Sequence, residues 1–108
     1  MHAMETTISV DEQKVVVRNA ITEFIDFMNN KAGTMYSVDG GRKYLRIISE
    51  EMRSVHCFVE ALTGDVYMAA SFAKPMLNGA RFNLLDADSF AKLKESWDPY
   101  GSYLYKKR

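Results

Sequence analysis

The chain has 108 residues, with 14 lysines and arginines against 14 aspartates and glutamates, 47% hydrophobic residues and 26% charged ones. These proportions match an average globular domain and exclude a disordered chain, a collagen-like repeat and a disulfide-built miniprotein. The length suits one domain over residues 1–108, with a core large enough to fold without a metal or disulfide staple and with residues 1–8 and 106–108 expected to be flexible.

A single cysteine, Cys57, leaves no internal disulfide, and beside seven methionines it points to the cytoplasm. The N-terminus has neither the basic start nor the apolar run of a secretion signal, and no stretch approaches the roughly 20 apolar residues of a membrane span. Neither export nor membrane insertion is expected. Charge is uneven along the chain: residues 1–30 carry a net −3, and residues 66–108 a net +3 that equals the contribution of Lys106, Lys107 and Arg108. A solvated tail is the ordinary reading, and a short basic arm for phosphates or an acidic partner is the sharper one.

In chain order, Ser9-Val10-Asp11-Glu12 matches a capping box. Val17, Ala20, Ile21, Phe24, Ile25 and Met28 then recur at spacings of three and four, which predicts an amphipathic helix over residues 10–30, about 30 Å long. Gly33 is the expected stop, and the segment through Asp39-Gly40-Gly41-Arg42 reads as a loop. From Lys43 the composition turns β-branched and aromatic, giving strands over Tyr44–Ile48, Ser54–Val59 and Val66–Ala69. Gly64 can take the left-handed conformation of a three-residue hairpin loop, which would pair Ala61 with Asp65. That register puts Val55, Cys57, Val59, Tyr67 and Ala69 on one face and His56, Phe58, Glu60, Val66 and Met68 on the other. Both faces are then substantially apolar, and one helix covers only one of them. The C-terminal segment or a second subunit is expected on the opposite face.

Pro75 and Asn78-Gly79 mark a loop, and Ala80–Leu85 forms either a short extra strand or an extended packing segment. Asp86 or Asp88 caps a second helix whose Phe90, Leu93 and Trp97 form an apolar line, ended by Asp98-Pro99-Tyr100-Gly101. Tyr103 and Tyr105 alternate in the final tail. The expected class is therefore α+β, with a long N-terminal helix, a three- to four-stranded antiparallel sheet and a short C-terminal helix.

Chemistry-bearing residues are few. His56 and Cys57 could form a nucleophile and base or ligate a soft metal, but neighbours on a strand point to opposite faces. A buried thiol and a half-buried imidazole are the better readings, and no metal or cofactor is expected. Glu50 with Glu51, and Asp86 with Asp88, are explained by solvation and helix capping. Gly40-Gly41-Arg42-Lys43 could offer amides and cations to a phosphate, yet it lacks the spacing of a nucleotide-binding loop. The order of elements is also that of double-stranded RNA-binding domains, but here the second helix starts with Asp86 and Asp88, which repel phosphates. Candidate contact residues for a ligand or partner are Arg42, Lys43, Arg46, His56, Phe72, Lys74 and Arg81, with Tyr67 also available to stack.

The blocks Ser54-Val55-His56-Cys57-Phe58-Val59, Thr63-Gly64-Asp65-Val66-Tyr67, Ala69-Ala70-Ser71-Phe72 and Gly79-Ala80-Arg81-Phe82-Asn83-Leu84 resemble small uncharacterised proteins of tailed bacteriophages, including phages of marine bacteria. The resemblance covers residues 43–85. In that pattern lysine is frequent at position 68 and tryptophan at 72, so Met68 and Phe72 depart from it and weaken a phosphate-binding reading. The resemblance implies a phage origin and lends no activity, cofactor or catalytic residue.

The function expected from these observations is a non-enzymatic module, phage-encoded, that docks to a protein partner or to itself, with a homodimer as one form. A nucleic-acid accessory protein is the alternative. A small enzyme with its site between subunits comes third.

Overall fold

The computed structural model describes residues 9–105. The expected flexibility of residues 1–8 and 106–108, and the basic tail, lie outside them. The first helix, α1, runs from Val10 to Ala32 and starts at the expected capping box. The Ser9 amide donates to Glu12 Oε1 at 2.9 Å, and the Glu12 amide donates to Ser9 Oγ at 3.1 Å. Gly33 ends it at φ 69°, returning its N–H to the Asn29 carbonyl at 3.0 Å. Val17, Ile21, Phe24 and Met28 are the buried line of this helix.

Five antiparallel strands follow in spatial order β1-β2-β3-β4-β5: β1 Tyr36–Gly40, β2 Tyr44–Ser49, β3 Ser54–Glu60, β4 Asp65–Tyr67 and β5 Phe82–Asn83. Each strand pairs with the next, through short turns from β1 to β4 and through residues 68–81 from β4 to β5. The segment read as a loop after Gly33 holds β1, so the sheet is wider than the expected three to four strands. Its pairing explains the difference: Tyr36 faces Ser49 and Val38 faces Ile47, and the glycine pair serves the hairpin turn. A Cβ on Gly41 would come within 2.7 Å of the Tyr44 carbonyl oxygen, so a tight turn requires glycine there. Ala80–Leu85 resolves into the two-residue β5 at the sheet edge.

The register of the second hairpin differs by one residue from the expected one. Val59 faces Val66 and Phe58 faces Tyr67, across a loop of residues 61–64 in which Gly64 has φ 78°. Tyr67 therefore shares a face with Phe58, and Val66 joins Val59, Leu45, Ile47 and Cys57 beneath α1. This register places four aliphatic side chains and the thiol in the core, whereas the expected one divides them between the two faces.

The second helix, α2, spans Ala87–Ser96, and its cap is Asp86, which accepts from the amides of Asp88 and Ser89. Phe90 meets Phe24 edge-on at 6.1 Å and Trp97 meets Phe27 at 6.1 Å, so α2 lies on the same side of the sheet as α1. A 3₁₀ turn, Ser102–Leu104, then buries Leu104 in the same core. The C-terminal segment thus does not cover the opposite face, as one expectation had it. Residues 69–76 do so instead, with Phe72 on Arg46 and with Ala73 and Pro75 beside Phe58. Ala69 bridges to Pro75, the Met76 amide donates to the Met68 carbonyl at 2.7 Å, and the resulting strap folds back across the sheet.

Candidate functional site

Alternation along β1 to β4 places Asp39, Arg46, Phe58 and Tyr67 in one row on the face away from the helices. Arg46 organises this row. Its Nη2 pairs with Asp39 Oδ2 at 3.1 Å, its Nη1 donates to the Phe72 carbonyl at 3.3 Å, and its guanidinium sits 5.0 Å from the centre of the Phe72 ring. In the adjacent row Tyr44 meets Tyr67 edge-on at 5.9 Å, with the Lys43 ammonium 5.6 Å from the Tyr44 ring centre. Phe58 is 2% exposed yet is not part of the main core, because its cover is the strap on the other face. Between strap and sheet runs a groove of about 310 Å³ lined by Gly41, Lys43, Tyr44, Arg46, Phe58, Ala73 and Pro75.

The seven candidate contact residues divide three ways. Lys43 and Arg46 line the groove, Phe72 holds the strap over it, and Lys74 sits on the strap between the lining residues Ala73 and Pro75. Arg42, though adjacent to Lys43, opens on a different notch with Lys14 and Arg18. His56 is turned inward, and Arg81 is committed to hydrogen bonds within the chain. Arg81 Nε donates to the Leu104 carbonyl at 2.5 Å, and Nη1 donates to Asn78 Oδ1 at 3.1 Å and to the Gly79 carbonyl. It latches the C-terminal segment to the loop before β5. Sequence reasoning missed Tyr44 and Phe58 as groove residues, since their role depends on a strap that closes only in three dimensions.

His56 corrects a second expectation. Ile47 pairs with Cys57 but Ile48 with Val55, so His56 is the extra residue of a β-bulge. The bulge turns His56 towards the covered side, where its ring lies 5.4 Å from Tyr36, 5.8 Å from Trp97 and 5.6 Å from Tyr103. The indole N–H of Trp97 donates to His56 Nε2 at 3.1 Å, and the Tyr103 hydroxyl is 2.6 Å from the same nitrogen. An indole only donates, so Nε2 is an acceptor and the imidazole is neutral. Burial agrees, pushing the His56 pKa down to about 4 against a smaller upward pull from Asp98. Burial also raises the Tyr103 hydroxyl well above its ordinary value and pushes the Cys57 thiol far up. The three rings share one polar contact point, His56 Nε2, inside an aromatic core.

A cleft of about 710 Å³ opens beside that cluster, lined by Tyr36, Trp97, Tyr100 and Met52 together with Lys31, Glu51 and Asp98. His56 is not among its lining residues. Asp98 is engaged within its own turn, its Oδ1 accepting from the amides of Tyr100 at 2.8 Å and Ser102 at 3.3 Å. Among the described residues no group of three or more His, Cys, Asp or Glu is placed to hold a metal ion, and no helix is long and apolar enough to cross a membrane.

A five-stranded antiparallel meander, with both helices on one face and a short strap on the other, defines a small two-layer α+β protein. The chain belongs to the family of unknown function DUF7717, whose model matches residues 2–106. No curated protein and no solved structure matches it. The family match covers nearly the whole chain and is silent on origin.

Proposed function

We propose that this protein is a non-enzymatic docking module, and that the strapped groove is where a partner protein binds. The observation that supports this reading is the groove itself, an apolar floor of Phe58 walled by Tyr44, Ala73 and Pro75 with the cations Lys43 and Arg46 at its side and no carboxylate in its lining. That chemistry fits a peptide segment carrying an aliphatic side chain beside a carboxylate: the side chain fills the floor, and the carboxylate meets Lys43. A polyanion fits less well, because Arg46 is already held by Asp39 and the chain has no net charge.

The test is selection of displayed random peptides on the purified protein, with molecular mass recorded across protein concentration. Enrichment of acidic-aliphatic peptides that bind wild type but not Lys43→Glu supports the reading. Peptides that bind both proteins equally, or no enrichment, overturn it. A concentration-dependent dimer broken by Lys43→Glu would make the occupant a second copy. Salt-steep oligonucleotide binding that needs Lys43 and Lys74 would replace protein docking with the nucleic-acid reading.

A further inference from the structure

Away from the groove, Lys14 and Arg18 stand one turn apart on α1 and Arg42 reaches towards them from the β1–β2 turn. With Gly41, Leu45 and Ala61 they enclose a notch of about 220 Å³. We propose that this notch is a binding site for a phosphate group, borne either by a small molecule or by a nucleic-acid backbone.

Four observations carry the proposal. First, no carboxylate lines the notch, although the chain has 14 acids. Asp39, close by in sequence, points to the opposite face and is held there by Arg46 at 3.1 Å. Second, the two salt bridges among the described residues are Arg46–Asp39 and Lys94–Glu23, and the side chains of Lys14, Arg18 and Arg42 donate no hydrogen bond to another described residue. Like charges four apart on a helix disfavour the folded state, so an arrangement that adds a third cation gains from an external anion. Third, the floor is apolar: Leu45 is 2% and Ala61 4% exposed, which strengthens charge interactions at the mouth relative to open water. Fourth, the glycine pair shapes the site. A Cβ on Gly40 would lie 3.0 Å from Arg18 Nη2, so glycine there lets the guanidinium lie against the strand.

Phosphate is the anion that matches. A phosphate monoester carries a charge of about −1.5 to −2 at neutral pH, against three cations here, and the planar forks of two arginines suit its oxygens. The notch, at about 220 Å³, has room for a phosphate group at its mouth.

The experiment is an amide-resolved NMR titration of the full chain with inorganic phosphate, pyrophosphate and a short single-stranded oligonucleotide at constant ionic strength. Wild type is compared with Arg18→Gln/Arg42→Gln and with Lys43→Gln/Lys74→Gln. The expected result is saturable shifts of residues 14–18, 40–42 and 61, weakened at least about tenfold by the first double variant and unchanged by the second. Saturation by phosphate or pyrophosphate assigns the group to a small ligand, and saturation by the oligonucleotide alone assigns it to a nucleic-acid backbone. The proposal is overturned if none of the three anions shifts these amides, if Arg18→Gln/Arg42→Gln saturates at the same concentration as wild type, or if both double variants weaken binding equally. All four substituted side chains are exposed, and the spectrum of each variant reports its fold directly.

Discussion

The Tyr103 hydroxyl lies 2.6 Å from His56 Nε2, joining the C-terminal turn to the centre of β3 through a bulge that turns the imidazole inward. With the Trp97 indole on the same nitrogen, the contact ties the 3₁₀ turn and the end of α2 to the sheet. The cluster works only while His56 is neutral, and this has a consequence for pH.

His56 is held to a pKa of about 4 in the folded state, against 6.5 for an ordinary histidine. Between those values the unfolded chain binds the extra proton, so the stability from neutral His56 is complete above pH 6.5 and is lost as the pH falls towards 4. The loss amounts to about 3 kcal/mol. Urea unfolding at a series of pH values should show this slope in wild type and a flatter one in His56→Gln. Equal slopes would mean that His56 does not sense pH in this way.

Cys57 is fully buried, and burial raises its thiol pKa far above the ordinary value. The thiolate is the reactive form, so a disulfide reagent should modify the native protein no faster than it opens. Labelling should follow the unfolding transition as urea is raised. Rapid stoichiometric labelling without denaturant would contradict the burial described above.

Arg81 should matter for folding rather than for partner contact. Its guanidinium donates to the Leu104 and Gly79 carbonyls and to the Asn78 side chain, and Arg81→Ala should cost about 1.5–3 kcal/mol. Arg81→Lys should recover only part, since an ammonium cannot reproduce the planar fork. Denaturation midpoints check both, and a neutral Arg81→Ala would remove the latch assigned to this residue.

Phe58 and Phe72 flank the same groove with opposite weights. Phe58 is 2% exposed, and Phe58→Ala should cost about 3–5 kcal/mol. Phe72 is 55% exposed, and its ring contact with Arg46 contributes about 0.5–1 kcal/mol, so Phe72→Ala should fold normally while loosening the strap. Thermal melts together with hydrogen exchange at residues 70–74 separate the two effects. A strap equally protected without Phe72 would show that the backbone contacts alone hold it.

What the sequence by itself determined was local. Ser9 with Glu12, Gly33, the line from Val17 to Met28 and a cap at Asp86 or Asp88 depend on residues within one or two turns of each other, so short-range sterics and hydrogen bonding govern them, and the structure selects Asp86. The α+β class follows from those periodicities. The loop reading of β1 failed because two adjacent glycines look like a long connection until their partner strand is in place. The register of Val59 against Val66 and the bulge at His56 were decided by tertiary packing: shifting a strand by one residue leaves its composition unchanged but exchanges its faces, and only the core beneath α1 chooses between the two. The same holds for both candidate sites. Arg42 and Lys43 are neighbours in the chain, yet the strand alternation and the turn send one to the notch with Lys14 and Arg18 and the other to the strapped groove.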